Sequence, residues 1–495
     1  MYLENKTPSH RWLLTAELLT VAALILLTLW SVRPLLEEWA LVHTFDLIGL
    51  DYLRIFAAAT PMRPLHLVPS VFESYLGFGR PEGVAVVTAI MMGLRYLAIR
   101  WAVTPLLSGK DRWLVASLAA MLFAWPGAWL GRFGPAQLST ALLFIAFGCA
   151  IRVGMRLSLG AAAGCVASIV ALLCVYQGAA LCLLAIPFYM LFWKTATAWR
   201  GALRAAAVIA AGFVVYGTYC LVATRWVGGG YEGDLATSSA RLLTWTGMRT
   251  HVGAAYGSVF GEETLLLPLM LAVVTLLSFN YVQNGRQAPA GFSPSNLALA
   301  CGGVLTLPLL SLIYVAQAHI QDLERTLFPA SVGFVLVCTS LLIRARGAGA
   351  NAGAGAGAGG PGLQVAAALV VVLLASSVLS ATAAHRYALI QKQVIKQTLE
   401  ALRASPHKAV LVVDTTGILG DVYTLVNPTL RDALAFYGVD VEASICTPSA
   451  IDRYHPIARR YPIPTTPRCD QVPGYAHVPL VLTATWDNDR LIVKP

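Results

Sequence analysis

Long uninterrupted apolar segments determine which class of fold this chain can adopt. The first, WLLTAELLTVAALILLTLW, covers residues 12–30, and similar segments recur along the chain. An apolar helix of about 20 residues crosses the hydrocarbon core of a bilayer. Hydrophobic residues make up 57% of the chain and charged residues 12%, which excludes an ordinary soluble globule and a disordered chain. The sequence therefore predicts a polytopic α-helical membrane protein.

The hydropathy pattern predicts about eleven transmembrane helices. They cover residues 12–32, 83–107, 113–131, 135–151, 157–175, 177–193, 203–224, 264–281, 296–315, 327–343 and 363–382. Alternate loops carry clusters of Lys and Arg, which marks them as cytoplasmic and puts the N-terminus in the cytoplasm. The net charge of +10 is spread over these short loops, which argues against a nucleic-acid partner. The excess of Arg over Lys points to a bacterial source, and therefore to the inner membrane.

Two domains are expected. Residues 1–382 would form the transmembrane module, with long outer loops at 33–82, 225–263 and 316–326. In residues 383–495, helical patterns alternate with strand-like runs such as KAVLVVDTT, which predicts a small α/β domain. An odd number of spans places this domain outside, in the periplasm. Oxidising conditions there favour a bridge between its two cysteines, Cys446 and Cys469.

Four acidic residues follow the first apolar segment, in LLEEWALVHTFDLIGLD at residues 35–51. They are Glu37, Glu38, Asp46 and Asp51. Such carboxylates are often only solvated charges at a helix end. A carboxylate at the membrane surface can also act as a general base that removes a proton from an acceptor hydroxyl. Adjacent acids assist, because like charges raise one pKa and can share a proton or a cation.

A second polar stretch follows in TPMRPLHLVPSVFESYLGFG, at residues 60–79. Its pattern indicates a segment that lies on the membrane surface instead of crossing it. Arg63 and His66 stand there between prolines. Both side chains are therefore candidates for contacts with a ligand at the outer face.

The order of these features resembles the GT-C membrane glycosyltransferases. The resemblance rests on the first span, the acidic pair and aromatic EEW at 37–39, RPL at 63–65, the second span, and the plan of spans with an outer α/β domain. It implies an inverting enzyme that takes a sugar from a polyprenyl-phosphate carrier. The family pair usually contains an Asp, whereas both positions here are Glu. Asp46 therefore competes with Glu37 and Glu38, the favoured pair, for the role of base.

The resemblance also implies basic residues that hold the carrier phosphate in late outer loops. Arg325 and His319 in QAHIQDLERTLFP are the candidates, with Arg63 as a further one, because arginine binds phosphate through two parallel hydrogen bonds. The loop at 225–263 is a candidate cover over the active site. Its candidate contacts to acceptor or donor are Arg241, Arg249 and His251, with Asp51 and His66 from the first loop.

Other functions remain open from the sequence. One alternative is a transporter or flippase of lipid-linked sugars, although no internal repeat supports it. A second is an O-antigen-type polymerase or ligase. The expected partners are a polyprenyl-phosphate-linked sugar, a glycan, lipid or protein acceptor, and membrane lipids. No cofactor is implied with certainty; a divalent cation that bridges acids and phosphate stays an open alternative.

Overall fold

The computed structural model describes most of the N-terminal 227 residues and most of the chain from residue 361 onward. The described residues are 8–34, 37–107, 109–122, 134–191, 198–227, 249, 332, 335–336, 338–339, 361–417, 419, 429–448, 468–472, 478–487 and 490–495. The expected spans at 264–281 and 296–315 lie outside them, as does most of the span at 327–343.

Helices dominate the N-terminal part. They are α1 (Pro8–Ser31), α2 (Glu37–Ile48), α3 (Asp51–Ala59), α4 (Val68–Leu76), α5 (Gly83–Ala102), α6 (Gly109–Leu122), α7 (Gly134–Met155), α8 (Leu159–Val175), α9 (Ala185–Leu191) and α10 (Ala198–Val227), with a 3₁₀ helix at Gln177–Leu184 before α9. In the described part of the chain, four stretches are long and apolar enough to cross a membrane. These are Trp12–Ser31, Gly83–Ala102, Gly134–Met155 and Ala198–Ala223.

The four candidate spans in the described residues support the coarser prediction of a helical membrane protein, and the number of eleven spans stays a prediction. Two predicted spans correspond to shorter apolar helices, at Leu159–Val175 and Cys182–Leu191. The helices pack closely where residues are small: a Cβ on Gly154 of α7 would lie 3.0 Å from the carbonyl oxygen of Gly201 in α10. Small residues allow helices to approach in this way in membranes.

Two charged side chains of α1 and α5 have polar partners on neighbouring helices. Glu17 of α1 accepts a hydrogen bond from Arg100 of α5 at 2.7 Å. Arg95, which is 1% exposed, donates to the carbonyl oxygen of Ala120 in α6 at 2.8 Å. A buried charge is tolerated only when polar partners replace its lost hydration.

Helix α11 (Pro361–Ala404) continues through residue 383, where the sequence pattern placed a domain boundary. The expected last span and the beginning of the predicted α/β domain are therefore parts of one helix of 44 residues. The His385 ring of α11 stacks on the Trp30 ring at 4.4 Å, and its Nδ1–H donates to the Trp30 carbonyl oxygen at 3.1 Å. These contacts attach α11 to the end of α1.

The C-terminal part contains the predicted mixture of helix and strand. Strands β1 (Ala409–Asp414), β2 (Glu442–Cys446), β3 (Leu480–Asp487) and β4 (Arg490–Lys494) accompany α12 (Thr429–Phe436). The sheet order is β2-β1-β3-β4; β1 is parallel to β2 and β3, and β4 is antiparallel to β3. Val410 and Val412 face a core shared with α11 and α12. On the other face, Leu411 packs against a disulfide between Cys446 and Cys469, the pair expected from the sequence.

Candidate active site

Helix α2 connects the first span to the C-terminal part of the chain. Trp39 is 4% exposed and belongs to the core cluster formed by the sheet, α11 and α12. Its ring centroid lies 5.7 Å from that of Phe436 and 5.9 Å from that of Tyr437. Burial of a large aromatic side chain contributes about 1.5–3 kcal/mol. The acidic helix is therefore held against α12 by its tryptophan.

The same helix also packs against α4. Phe45 meets Tyr75 edge-to-face, with ring centroids 5.3 Å apart. The turn after α4 then reverses the chain towards α5, with Phe78 at φ 52° and Gly79 at φ 73°. A phenylalanine in this left-handed region is unusual, because its Cβ approaches the backbone. Its side chain is nevertheless 92% exposed.

A cavity of about 350 Å³ lies where α2, α4, this turn and α12 meet. It is lined by Val42, Phe45, Asp46, Ser74, Tyr75, Phe78, Gly79 and Phe436. Among these lining residues, Asp46 is the one acidic or basic side chain. The cavity combines four aromatic rings with one carboxylate and the hydroxyl groups of Ser74 and Tyr75, which is typical of a site that binds a small amphipathic molecule.

The acidic residues of the first loop do not share one environment. Asp46 is exposed and lines the cavity. Glu38 is 1% exposed and is not among the lining residues. Glu37 is the first residue of α2, and its side chain lies outside the described part of the structure. Asp51 is exposed in the first turn of α3.

Arg63 and His66 lie in the turns between α3 and α4, away from the lining of the cavity. The His66 Nδ1–H donates to the carbonyl oxygen of Val175 at the end of α8, at 2.9 Å. Two tyrosines of α10 hold the same turns: Tyr219 donates to the Pro61 carbonyl oxygen at 2.9 Å and Tyr216 to that of Met62 at 2.8 Å. His66 thus has a structural contact that accounts for its position.

The remaining predicted phosphate and cover residues are not located. Arg325, His319, Arg241 and His251 lie outside the described residues, and Arg249 is described only as an exposed helical residue. Within the described ranges, no group of three or more His, Cys, Asp or Glu side chains lies together as a metal site. The assignment of Arg325 and His319 to the donor phosphate is therefore a prediction from the sequence.

The structure adds a buried carboxyl group that the sequence pattern did not single out. Glu73 of α4 is 2% exposed, and its Oε1 lies 3.6 Å from the point where a Cβ on Gly134, at the start of α7, would be. Burial raises the pKa of Glu73 to about 8. It occupies the opposite side of α4 from the cavity residue Tyr75. Its position inside a polar-aromatic stretch gave no sequence signal of burial.

The contact between α2 and α12 also contains titratable groups. Burial raises the pKa of Asp432 in α12, while the nearby His43 of α2 and the neighbouring Arg431 lower it in part. Tyr437 shows a raised pKa through burial and through the charge of Glu82, before α5. Charges from the first loop and from the C-terminal part therefore act on one another across this contact.

The fold defines a helical membrane protein that carries a small C-terminal α/β sheet. The sequence matches no protein-family model and no curated protein.

Proposed function

We propose that the protein is an inverting membrane glycosyltransferase, which moves a sugar from a polyprenyl-phosphate carrier to an acceptor on the outer side of a bacterial inner membrane. The observation that carries the proposal is that Asp46, on the helix that follows the first span, lines an aromatic cavity. A general base must reach the acceptor hydroxyl within hydrogen-bond distance, about 2.6–3.2 Å. An exposed carboxylate that lines a cavity is accessible to a hydroxyl group bound there, which supports the proposal.

The proposed chemistry is a single displacement. The acceptor hydroxyl gives its proton to the Asp46 carboxylate while its oxygen attacks the anomeric carbon of the donor. The bond between that carbon and the phosphate oxygen breaks, and the phosphate stays on the lipid with its additional negative charge. Arg325, with His319 and Arg63, is proposed to stabilise that charge.

Asp46 takes precedence in this proposal over the pair Glu37 and Glu38, which the sequence favours. Glu38 is almost fully buried and Asp46 lines the cavity. A residue removed from solvent at a helix start suits a role in holding α2 in place better than direct contact with an acceptor. The resemblance to GT-C enzymes supports an acid in this loop, and the cavity lining favours Asp46 among its acids.

A transporter of lipid-linked sugars is the second candidate, favoured by the buried Arg95 in α5. Ionisable groups within spans often mark a transport path. However, Arg95 donates to the Ala120 carbonyl oxygen, which gives it a structural contact.

One assay separates the two functions. The purified protein in nanodiscs is supplied with polyprenyl-phosphate-linked sugars extracted from bacterial inner membranes, and free polyprenyl phosphate is measured by mass spectrometry. We expect the release of free polyprenyl phosphate to depend on an added acceptor. Movement of the intact lipid-linked sugar across a proteoliposome bilayer, with no release of polyprenyl phosphate, would instead establish the transporter.

A further inference from the structure

The lining of the cavity between α2, α4 and α12 indicates what the acceptor is. We infer that this cavity binds a single pyranose ring, so that the acceptor is a carbohydrate and neither a lipid chain nor a peptide. The identification of the bound sugar as the acceptor rests on the proposed glycosyl transfer. The chemistry of the cavity supports a bound sugar independently.

The rings on the cavity walls match the apolar faces of a pyranose. Tyr75 and Phe78 stand at the rim, 52% and 92% exposed, and Phe436 forms part of the wall from α12. The C–H groups of a pyranose face carry a partial positive charge, and the face of an aromatic ring is negative. A sugar that enters would therefore find ring surfaces from both the first loop and the C-terminal part.

The polar groups suit the hydroxyl edge of the same ring. Asp46 supplies a carboxylate that accepts hydrogen bonds, and Ser74 and Tyr75 supply hydroxyl groups, in a lining whose other side chains are apolar. A prenyl or acyl chain could not form a hydrogen bond to this carboxylate and would leave it poorly hydrated. A bound pyranose would satisfy it.

The size of the cavity limits the ligand to a small unit. Its volume of about 350 Å³ is near the lower end of the range of about 300–1,000 Å³ for small-molecule sites. The left-handed backbone of Phe78 positions its ring at the rim, and such backbone strain is common at ligand clamps. These features favour one sugar ring over an extended peptide.

The test measures sugar binding without any lipid donor. Methyl pyranosides of glucose, galactose and mannose are added to the full-length protein in nanodiscs, and saturation-transfer NMR records contact with the sugar protons. We expect saturation transfer from the wild type to at least one pyranoside, and a reduction of that transfer by at least fivefold in Phe436→Leu and in Tyr75→Leu. Leucine keeps apolar contacts, so that α12 stays packed, but removes the ring.

Phe72→Leu is the matched control, because Phe72 is an aromatic residue of α4 that is 51% exposed and does not line the cavity. It should leave saturation transfer unchanged. No transfer to any pyranoside, or equal transfer from the wild type and both cavity variants, would overturn the inference. Ring-dependent sugar binding without release of polyprenyl phosphate would contradict the transferase proposal and retain the carbohydrate site.

Discussion

The Trp39 ring of α2 packs against the Phe436 ring of α12, with centroids 5.7 Å apart. Trp39 lies between the first two candidate spans, and Phe436 lies nearly four hundred residues later, in the C-terminal part. Because Phe436 also lines the cavity, the contact that attaches the C-terminal part to the first loop also completes the candidate active site.

Replacement of this tryptophan should detach α12 from α2. For Trp39→Ala we expect the free energy of unfolding to fall by about 3–5 kcal/mol, which is typical of truncation of a large buried aromatic residue. The measurement is the apparent melting temperature in nanodiscs, at one heating rate. Trp199→Ala is the control, because Trp199 is 54% exposed. Equal melting temperatures of the two variants would contradict a structural role for Trp39.

Glu73 predicts a specific dependence of stability on pH. Its pKa rises from an ordinary 4.5 to about 8 in the folded protein through burial, so between these values the folded protein holds one more proton than the unfolded chain. The stability that this protonated carboxyl contributes is fully present below pH 4.5 and is lost as the pH rises to about 8. The free energy of unfolding falls over this range by at most ~1.4 kcal/mol per pH unit.

Glu73→Gln should remove this dependence, because the amide does not titrate. The melting temperature of the wild type should fall between pH 6 and pH 8, whereas that of Glu73→Gln should fall less. Glu82→Gln, at an exposed position in the same loop, should behave as the wild type. The same pH dependence in all three proteins would contradict the buried position of the Glu73 carboxyl.

The bridge between Cys446 and Cys469 should stabilise the C-terminal part. These cysteines are 23 residues apart, and a closed loop of that length restricts the unfolded chain by about 3 kcal/mol. Cys446→Ser with Cys469→Ser should lower the melting temperature accordingly. In the wild type, mass spectrometry after alkylation without a reductant should find both residues unlabelled; labelling of both would show that the bridge is absent.

Arg325 stays a prediction from the sequence for the carrier phosphate. Loss of a charge-assisted hydrogen bond costs about 1.5–3 kcal/mol, so Arg325→Ala should weaken apparent donor affinity by one to two decades. The variant should remain monodisperse in detergent, because the expected role is binding and not folding. Unchanged transfer at limiting donor would remove Arg325 from the site.

Local patterns in the sequence predicted the elements of the C-terminal part correctly. The strand-like run KAVLVVDTT contains β1, and the predicted mixture of helix and strand is present in α12 and the four strands. Apolar length likewise predicted α1, α5, α7 and α10 as candidate spans. These properties depend on neighbouring residues, which a single sequence displays.

Contacts between distant residues could not be predicted in the same way. The approach of Phe436 to Asp46, and the burial of Glu38 and Glu73, depend on how α2, α4 and α12 pack. The acidic pair EEW was conspicuous because its members are adjacent, whereas proximity to the cavity distinguishes Asp46. Sequence patterns thus indicated the loop that holds the candidate base, and the packing indicated the residue.

The turnover of Asp46→Asn tests the central claim most directly. Release of polyprenyl phosphate is compared at saturating donor and acceptor among the wild type, Asp46→Asn, Glu38→Gln and the exposed-site control Asp440→Asn. Removal of a general base typically lowers turnover ~10²–10⁴-fold, and the account predicts that loss for Asp46→Asn alone, with donor binding retained. Near-normal turnover of Asp46→Asn would contradict the account. If Glu38→Gln had lost turnover in the same experiment, the base would belong to the pair Glu37 and Glu38.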